Sequence, residues 1–151
     1  MPSLTQPIQR FLTLLVALAG LAALTLPLRA QEVPTAVPDA WQMVITGQVQ
    51  AFRDRDAPVA LSFAGQGFQT AFPTPEAFFV SIMASGYSPI MESRSHSFGD
   101  FQLMQPERVA QIVNFVGPSQ ELYRAVYVLA LESSGWRVQG VQLVKTAAVG
   151  I

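Results

Sequence analysis

The spacing of the apolar residues changes once along this chain, and that change limits the fold more than any other feature. Up to Gly86 apolar residues recur every three or four positions, as in Trp41, Ile45 and Val49, which is typical of helices with one buried face. After Pro89 they alternate or form runs rich in β-branched residues, which is typical of strands. Helices followed by strands predict an α+β domain.

Three helices are predicted in the first half. Asp39 is an N-cap candidate for a helix that ends at the charged stretch 53–56, just before Pro58. Thr74 begins the third helix, because Pro75 and Glu76 suit a first helical turn. The second helix is predicted over residues 57–64, a connecting helical turn over 68–72, and the end of the third helix at Gly86.

Four strands are predicted in the second half, separated by short turns that contain Pro, Gly or Ser. Short links favour antiparallel hairpins, so we expect a four-stranded meander. The three helices should cover one face of this curved sheet, giving a cone-like domain. The predicted strands are residues 91–101, 108–116, 122–131 and 136–146.

The N-terminus has the order of a secretory signal peptide. Arg10 precedes an uncharged apolar run over 11–26, and Ala30 is the predicted cleavage position. The run of sixteen residues is shorter than the roughly 20 needed to span a bilayer. An uncleaved membrane anchor is the alternative, because Leu28 is bulkier than the residue preferred there. We therefore expect a signal peptide over 1–30, a linker over 31–38, a single domain over 39–151, and a periplasmic location.

Composition excludes several functions. The chain has no cysteine and a single histidine, which removes thiol chemistry, cysteine zinc sites and histidine-rich metal sites. Residues 31–151 carry seven basic and ten acidic side chains, a net charge of −3, and the basic ones are scattered. Nucleic acids and anionic membranes need clustered Lys and Arg. We therefore expect no cofactor, no metal, no nucleic acid and no membrane contact after signal cleavage.

Motifs in the mature chain occur in a characteristic order. They include QAFRDRDAPVALSFAGQGFQTAF, TPEAFFVSIMASGYSPIM and a terminal GWRVQGVQLVK. In this order and spacing the chain resembles the bacterial exported family called domain of unknown function 4864. Gly65-Gln66 stands where that family tends to have Ser-Pro, and Ile90 replaces Val. The segments of this chain that match the family's own motifs are Asp56–Ala64, Phe72–Phe78, Gly86–Ile90 and Gly135–Val138.

This resemblance implies a fold of the nuclear transport factor 2-like, or cystatin-like, superfamily. Such folds often enclose a pocket between helices and sheet. They include isomerases, dehydratases and pure binding or dimerisation modules, so the fold does not determine the function. The family has no agreed catalytic residues to carry over, and none is predicted here.

A pocket of this kind would be lined by aromatic and flexible side chains, although such residues at helical or strand spacing usually form the core. His96 is predicted on a strand face with Glu92, Arg94 and Phe98, either as a general acid or base or as a surface residue. The residues predicted to line a binding cavity are Phe52, Phe79, Met83, Tyr87, His96 and Tyr127.

The sequence therefore favours a non-catalytic binding or protein-interaction module. Its partner would be a small apolar ligand or an envelope protein, and pairing of two copies through the sheet is expected. The alternative is a small cofactor-free isomerase or lyase that acts on an apolar substrate, which needs a buried acid or base. A domain without a pocket, serving envelope architecture, is the third interpretation.

Overall fold

The computed structural model describes residues 36–146, which all belong to one compact unit. The predicted signal peptide, its cleavage after Ala30 and most of the predicted linker lie outside the described residues. The helices are α1 Pro38–Arg53, α2 Ala57–Ser62, α3 Gln66–Ala71, α4 Pro75–Ile82 and α5 Ser88–Glu92, with a π-helical segment at Met83–Tyr87 between the last two. The strands are β1 Ser95–Gln105, β2 Arg108–Val116, β3 Leu122–Glu132 and β4 Gly135–Lys145.

Helix α1 buries the stripe that its sequence predicts. Trp41, Ile45 and Val49 are all buried and lie on one side, at the spacing of one helical face. The N-cap position, however, belongs to Val37, which makes no side-chain capping bond. Asp39 lies instead within the first turn, where its negative charge interacts favourably with the positive end of the helix dipole.

The short helices begin where local chemistry satisfies their first free N–H groups. The Asp56 carboxylate accepts a hydrogen bond from the Val59 backbone N–H at 3.1 Å and caps α2. The Thr74 hydroxyl accepts one from Ala77 at 3.1 Å and caps α4, as the sequence predicts. The helical turn expected over 68–72 is the separate helix α3, which begins two residues earlier.

The prediction of three helices and of a strand from Met91 is wrong. Gly86 has a φ of 94° and kinks the chain, but helix resumes at once as α5 and strand β1 begins only at Ser95. Pro89 lies in the first turn of α5, where a missing N–H breaks no intrahelical bond. Pro89, after which strand spacing is predicted, therefore lies at the start of a further helix.

The predicted antiparallel meander is confirmed. The four strands pair in the order β1-β2-β3-β4, and β2 has the bounds that its alternation predicts. The register shifts between Phe98 and Phe101 in β1, and between Val128 and Leu129 opposite β4. Such bulges increase bend and twist, which curves the sheet around the helices.

One face of the sheet forms the core with α1. Phe115, Tyr127 and Leu129 are inward-facing and buried, and they belong to the same buried cluster as Trp41 and Ile45. Within residues 36–146, no helix combines the length and apolar character that crossing a bilayer requires.

A buried glutamine holds the bulge of β1 in place. Gln111 is 0% exposed, and its side-chain oxygen accepts from the Trp41 indole N–H at 2.9 Å and from the Gln42 amide at 3.1 Å. Its amide nitrogen donates to the Gly99 carbonyl at 2.8 Å and to the Ile112 carbonyl at 2.9 Å. The side chain therefore satisfies backbone groups that the shifted register would leave without partners.

Candidate functional site

A cleft of about 240 Å³ lies between the helices and strands β3 and β4. It opens partly to solvent, and most of its wall is apolar. Tyr127 contributes the wall from β3, and Val138 and Val141 contribute it from β4. The large apolar residues on the helical side are Phe52, Phe68, Phe78, Ile82 and Ile90.

The polar side chains of the cleft are mostly engaged with the backbone. Gln48, Ser85, Tyr87 and Tyr127 are the polar lining residues, and none of the lining residues carries a charge. The first three each donate to a backbone carbonyl: Gln48 to Ala60 at 3.1 Å, Ser85 to Ser81 at 2.7 Å and Tyr87 to Val141 at 2.6 Å.

Tyr127 differs from the other polar lining residues. It is only 1% exposed, and among residues 36–146 its hydroxyl is not tied to a backbone carbonyl as their side chains are. Burial raises the pKa of Tyr127 well above its ordinary value, and the nearby Tyr87 raises it further, while the positive charge of Arg53 acts in the opposite direction. The hydroxyl therefore stays protonated at any physiological pH and is a hydrogen-bond donor to the cleft.

A second polar cluster lies beside the cleft, around the end of α1. The Arg53 guanidinium donates from Nη2 to the Ser93 hydroxyl at 2.9 Å, while its buried Nε has no partner among the described residues. Ser93 in turn donates to the carbonyl of Ile90, a lining residue, at 2.7 Å. His96 Nε2 lies 3.2 Å from the Thr46 hydroxyl. Burial, followed by the positive charge of Arg53, lowers the pKa of His96.

The family model described as Domain of unknown function (DUF4864) matches residues 36–151. The chain belongs to this family. The resemblance carried by the motifs of the mature chain is thereby confirmed. Among solved structures, the DUF4864 chain is similar to an NTF-2 like protein of unknown function from Silicibacter pomeroyi DSS-3. The two are 10% identical with a TM-score of 0.48, over 71% of this chain and 93% of that one. No curated protein matches the chain.

The six residues predicted to line a cavity divide into two groups in the DUF4864 structure. Phe52, Tyr87 and Tyr127 lie in the wall of the cleft. Phe79 does not line it but packs on Phe52, with ring centroids 5.7 Å apart, and Met83 packs against the core. The binding role of these residues, and of His96, stays a prediction.

His96 lies outside the cleft, and two of its three predicted neighbours, Glu92 and Arg94, are wrong. Glu92 ends α5 and Arg94 precedes β1, so neither shares a strand face with His96. The cause is the late start of β1 at Ser95. The third predicted neighbour, Phe98, is confirmed: the imidazole packs against Phe98 and also against Phe115, with ring centroids 5.6 and 6.0 Å away.

Several residues that line the cleft were not predicted from the sequence. Gln48 lies four residues before Phe52 on α1, so the helical spacing could have revealed it. Val141 faces the cleft beside Tyr127, but the register shift in β4 hides its alternation with Val138. Phe78 lies on the buried side of α4 and also lines the cleft. Among residues 36–146, no three His, Asp or Glu side chains lie close enough together to hold a metal ion.

His96 makes the stability of the DUF4864 domain pH-dependent. Its pKa is lowered in the folded state, so the unfolded chain binds more protons below its own value of about 6.5. Stability should therefore fall as the pH drops through 6.5, and this loss should level off below the folded-state pKa. We expect urea midpoints measured between pH 7.5 and pH 5 to fall less in His96→Gln than in the wild type. Equal pH profiles for the two proteins would contradict this assignment.

Proposed function

We propose that this domain is a non-catalytic binding module that takes a small apolar ligand into the cleft between helices and sheet. The observation that carries the proposal is the cleft itself, which has about 240 Å³ of space behind an uncharged wall of aromatic and aliphatic side chains. Concave, mostly apolar sites with a few oriented polar groups are the usual form of small-molecule sites.

The size of the cleft supports a ligand of one ring or a short chain. An engineered apolar cavity of roughly 150 Å³ in another protein takes up benzene. The present cleft is larger, and Tyr127 and Gln48 add polar groups to it. A molecule with an apolar body and a single polar end fits this distribution.

Binding is favoured over catalysis by the chemistry of the lining. An isomerase or lyase needs a carboxylate, imidazole or amine near neutrality beside the substrate. The described lining residues include no such group, and the pKa of Tyr127 is shifted away from neutrality. Glu92 at the end of α5 and Asp100 in β1 are both exposed and do not line the cleft.

A cavity-filling variant tests the proposal. Ala64 is buried and lines the cleft, so Ala64→Leu should fill part of it. We expect α-methylstyrene to bind the wild type in a saturable 1:1 complex by nuclear magnetic resonance titration, and Ala64→Leu to weaken that affinity about tenfold or more. Ala71→Leu is the matched control, because Ala71 is exposed at the end of α3 and lines no part of the cleft. No saturable binding to the wild type, or equal binding by both variants, would reject the proposal.

We further propose that the domain acts in the periplasm after export. The support is the sequence of residues 1–30, with Arg10 before a sixteen-residue apolar run and a small residue at Ala30. Mass spectrometry of the protein from its native host should find a mature chain that begins at Gln31. An intact residue 1 in that protein would instead mean an uncleaved anchor.

The outer face of the sheet favours pairing of two copies. Ile112 pairs with Val126, and these two residues with Val128 lie opposite the core face, outside the core cluster and its packing neighbours. Val144 on the same face is 58% exposed. Light scattering at tens of micromolar should report a dimer, and Val126→Lys should convert it to a monomer. A monodisperse wild-type monomer would exclude this interface.

A further inference from the structure

The polar end of the cleft restricts what the ligand can be. We propose that the ligand is uncharged, with an apolar body and a carbonyl oxygen that accepts a hydrogen bond from the Tyr127 hydroxyl. This inference rests on the proposed function and names the ligand class for the same cleft.

Among the described polar residues that line the cleft, Tyr127 is the one whose side chain is not tied to a backbone carbonyl. The side chains of Gln48, Ser85 and Tyr87 are each tied to a backbone carbonyl. Tyr127 lines the cleft as well, and among residues 36–146 its hydroxyl makes no bond of this kind. A hydroxyl on the cleft wall that is not tied to the backbone can donate to an incoming acceptor. Because the hydroxyl keeps its proton, it donates to that acceptor.

The direction of the hydrogen bond fixes which end of the ligand faces Tyr127, because an O–H donor pairs with the oxygen of a carbonyl. The apolar body of the ligand would then extend toward the aromatic wall formed by Phe52, Phe68 and Phe78.

The same wall disfavours a carboxylate. No Lys, Arg or His is among the described lining residues, and Arg53 itself stays outside the lining with one nitrogen on Ser93. A buried carboxylate needs a paired cation or several hydrogen bonds to replace its hydration. A single tyrosine O–H does not supply these, whereas it fully serves one carbonyl oxygen.

A pair of isosteric probes tests the hydrogen bond. Acetophenone and α-methylstyrene have the same shape, but only the first carries an oxygen acceptor. We expect Tyr127→Phe to weaken acetophenone about five- to tenfold, the size of one net hydrogen bond, and to leave α-methylstyrene unchanged. The comparison cancels the different hydration of the two probes, because each is measured against both proteins.

Tyr123→Phe is the matched control. Tyr123 lies four residues earlier on β3 and faces the same side of the sheet, but it does not line the cleft. It should leave both affinities unchanged. Benzoate should bind the wild type at least tenfold more weakly than acetophenone.

The outcomes separate the two proposals. If neither neutral probe binds the wild type, the proposed function fails. If both bind but Tyr127→Phe changes their affinities equally, or not at all, the cleft binds ligands without the inferred hydrogen bond and this inference is overturned. Tighter binding of benzoate than of acetophenone would overturn the uncharged class.

A measurement on the wild type alone covers the case in which Tyr127→Phe does not fold. The infrared carbonyl band of carbon-13-labelled acetophenone should move to lower wavenumber in the complex than in hexane, because the bound oxygen accepts a hydrogen bond. A band at its hexane position in the saturated complex would overturn the inference.

Discussion

Replacement of Gln111 by leucine should destabilise the domain by about 3 kcal/mol, a large share of the roughly 5–15 kcal/mol typical of a domain. The leucine fills similar space but leaves the buried Trp41 indole N–H without its acceptor at 2.9 Å. It also removes the donor to the Gly99 and Ile112 carbonyls at the β1 bulge. A buried polar group that loses its partner costs about 1–3 kcal/mol, so the orphaned groups outweigh the added apolar contact. Urea unfolding followed by circular dichroism measures the loss.

Two further variants test the origin of this loss. Gln102→Leu changes the same residue type at an exposed position of β1 and should shift stability by less than about 0.5 kcal/mol. Adding Trp41→Phe to Gln111→Leu should cost less than the sum of the two single changes, because it removes the indole N–H that Gln111→Leu orphans. Strict additivity of the two changes would contradict the hydrogen-bond explanation.

The regular elements of this domain could be predicted because a local pattern encodes them. The alternation in β2 places Val109, Val113 and Phe115 on one face, and one face is all that a sheet covered by helices needs. The stripe of α1 is similarly clear, from Trp41 to Val49. In both elements a single period runs without interruption, so sequence and structure agree.

The segment from Gly86 to Ser95 could not be predicted in the same way. The pair Gly86 and Pro89 is equally compatible with the end of a helix and with a kink between two helices. In the structure Gly86 adopts a positive φ and Pro89 enters the first turn of α5. Tertiary packing makes the choice, since Ile90 becomes buried in the core.

The cleft was accessible to sequence reasoning only in part. Tyr127 and Phe52 follow from periodicity, because an inward-facing residue is a candidate for either core or lining. Periodicity cannot distinguish a residue packed in the core from one that lines the cleft. Which residues border the cleft depends on tertiary features such as the kink at Gly86 and the register shift near Val138, which no local pattern encodes.

Replacement of Phe78 by alanine should cost about 3–5 kcal/mol and enlarge the cleft. Phe78 is 2% exposed and borders the cleft. Its ring packs against Phe68 and Phe72, with centroids 5.8 and 5.5 Å away, and against Phe52 at 6.2 Å. Removal of the ring exposes these contacts to a larger void that close-packed neighbours refill only in part. Thermal and urea unfolding would measure the loss.

A ligand that occupies the void should restore part of the stability, and this rescue separates a cleft residue from an ordinary core residue. A ligand that binds only the folded state raises its melting temperature, so we expect an excess of toluene to raise that of Phe78→Ala more than that of the wild type. Phe79→Ala is the matched control, because the neighbouring ring is half-buried and lies outside the lining. It should lose less stability and gain nothing from toluene beyond the wild-type response. If toluene stabilised both variants equally, its effect would not depend on a void in the cleft wall. The assignment of Phe78 to that wall would then be wrong.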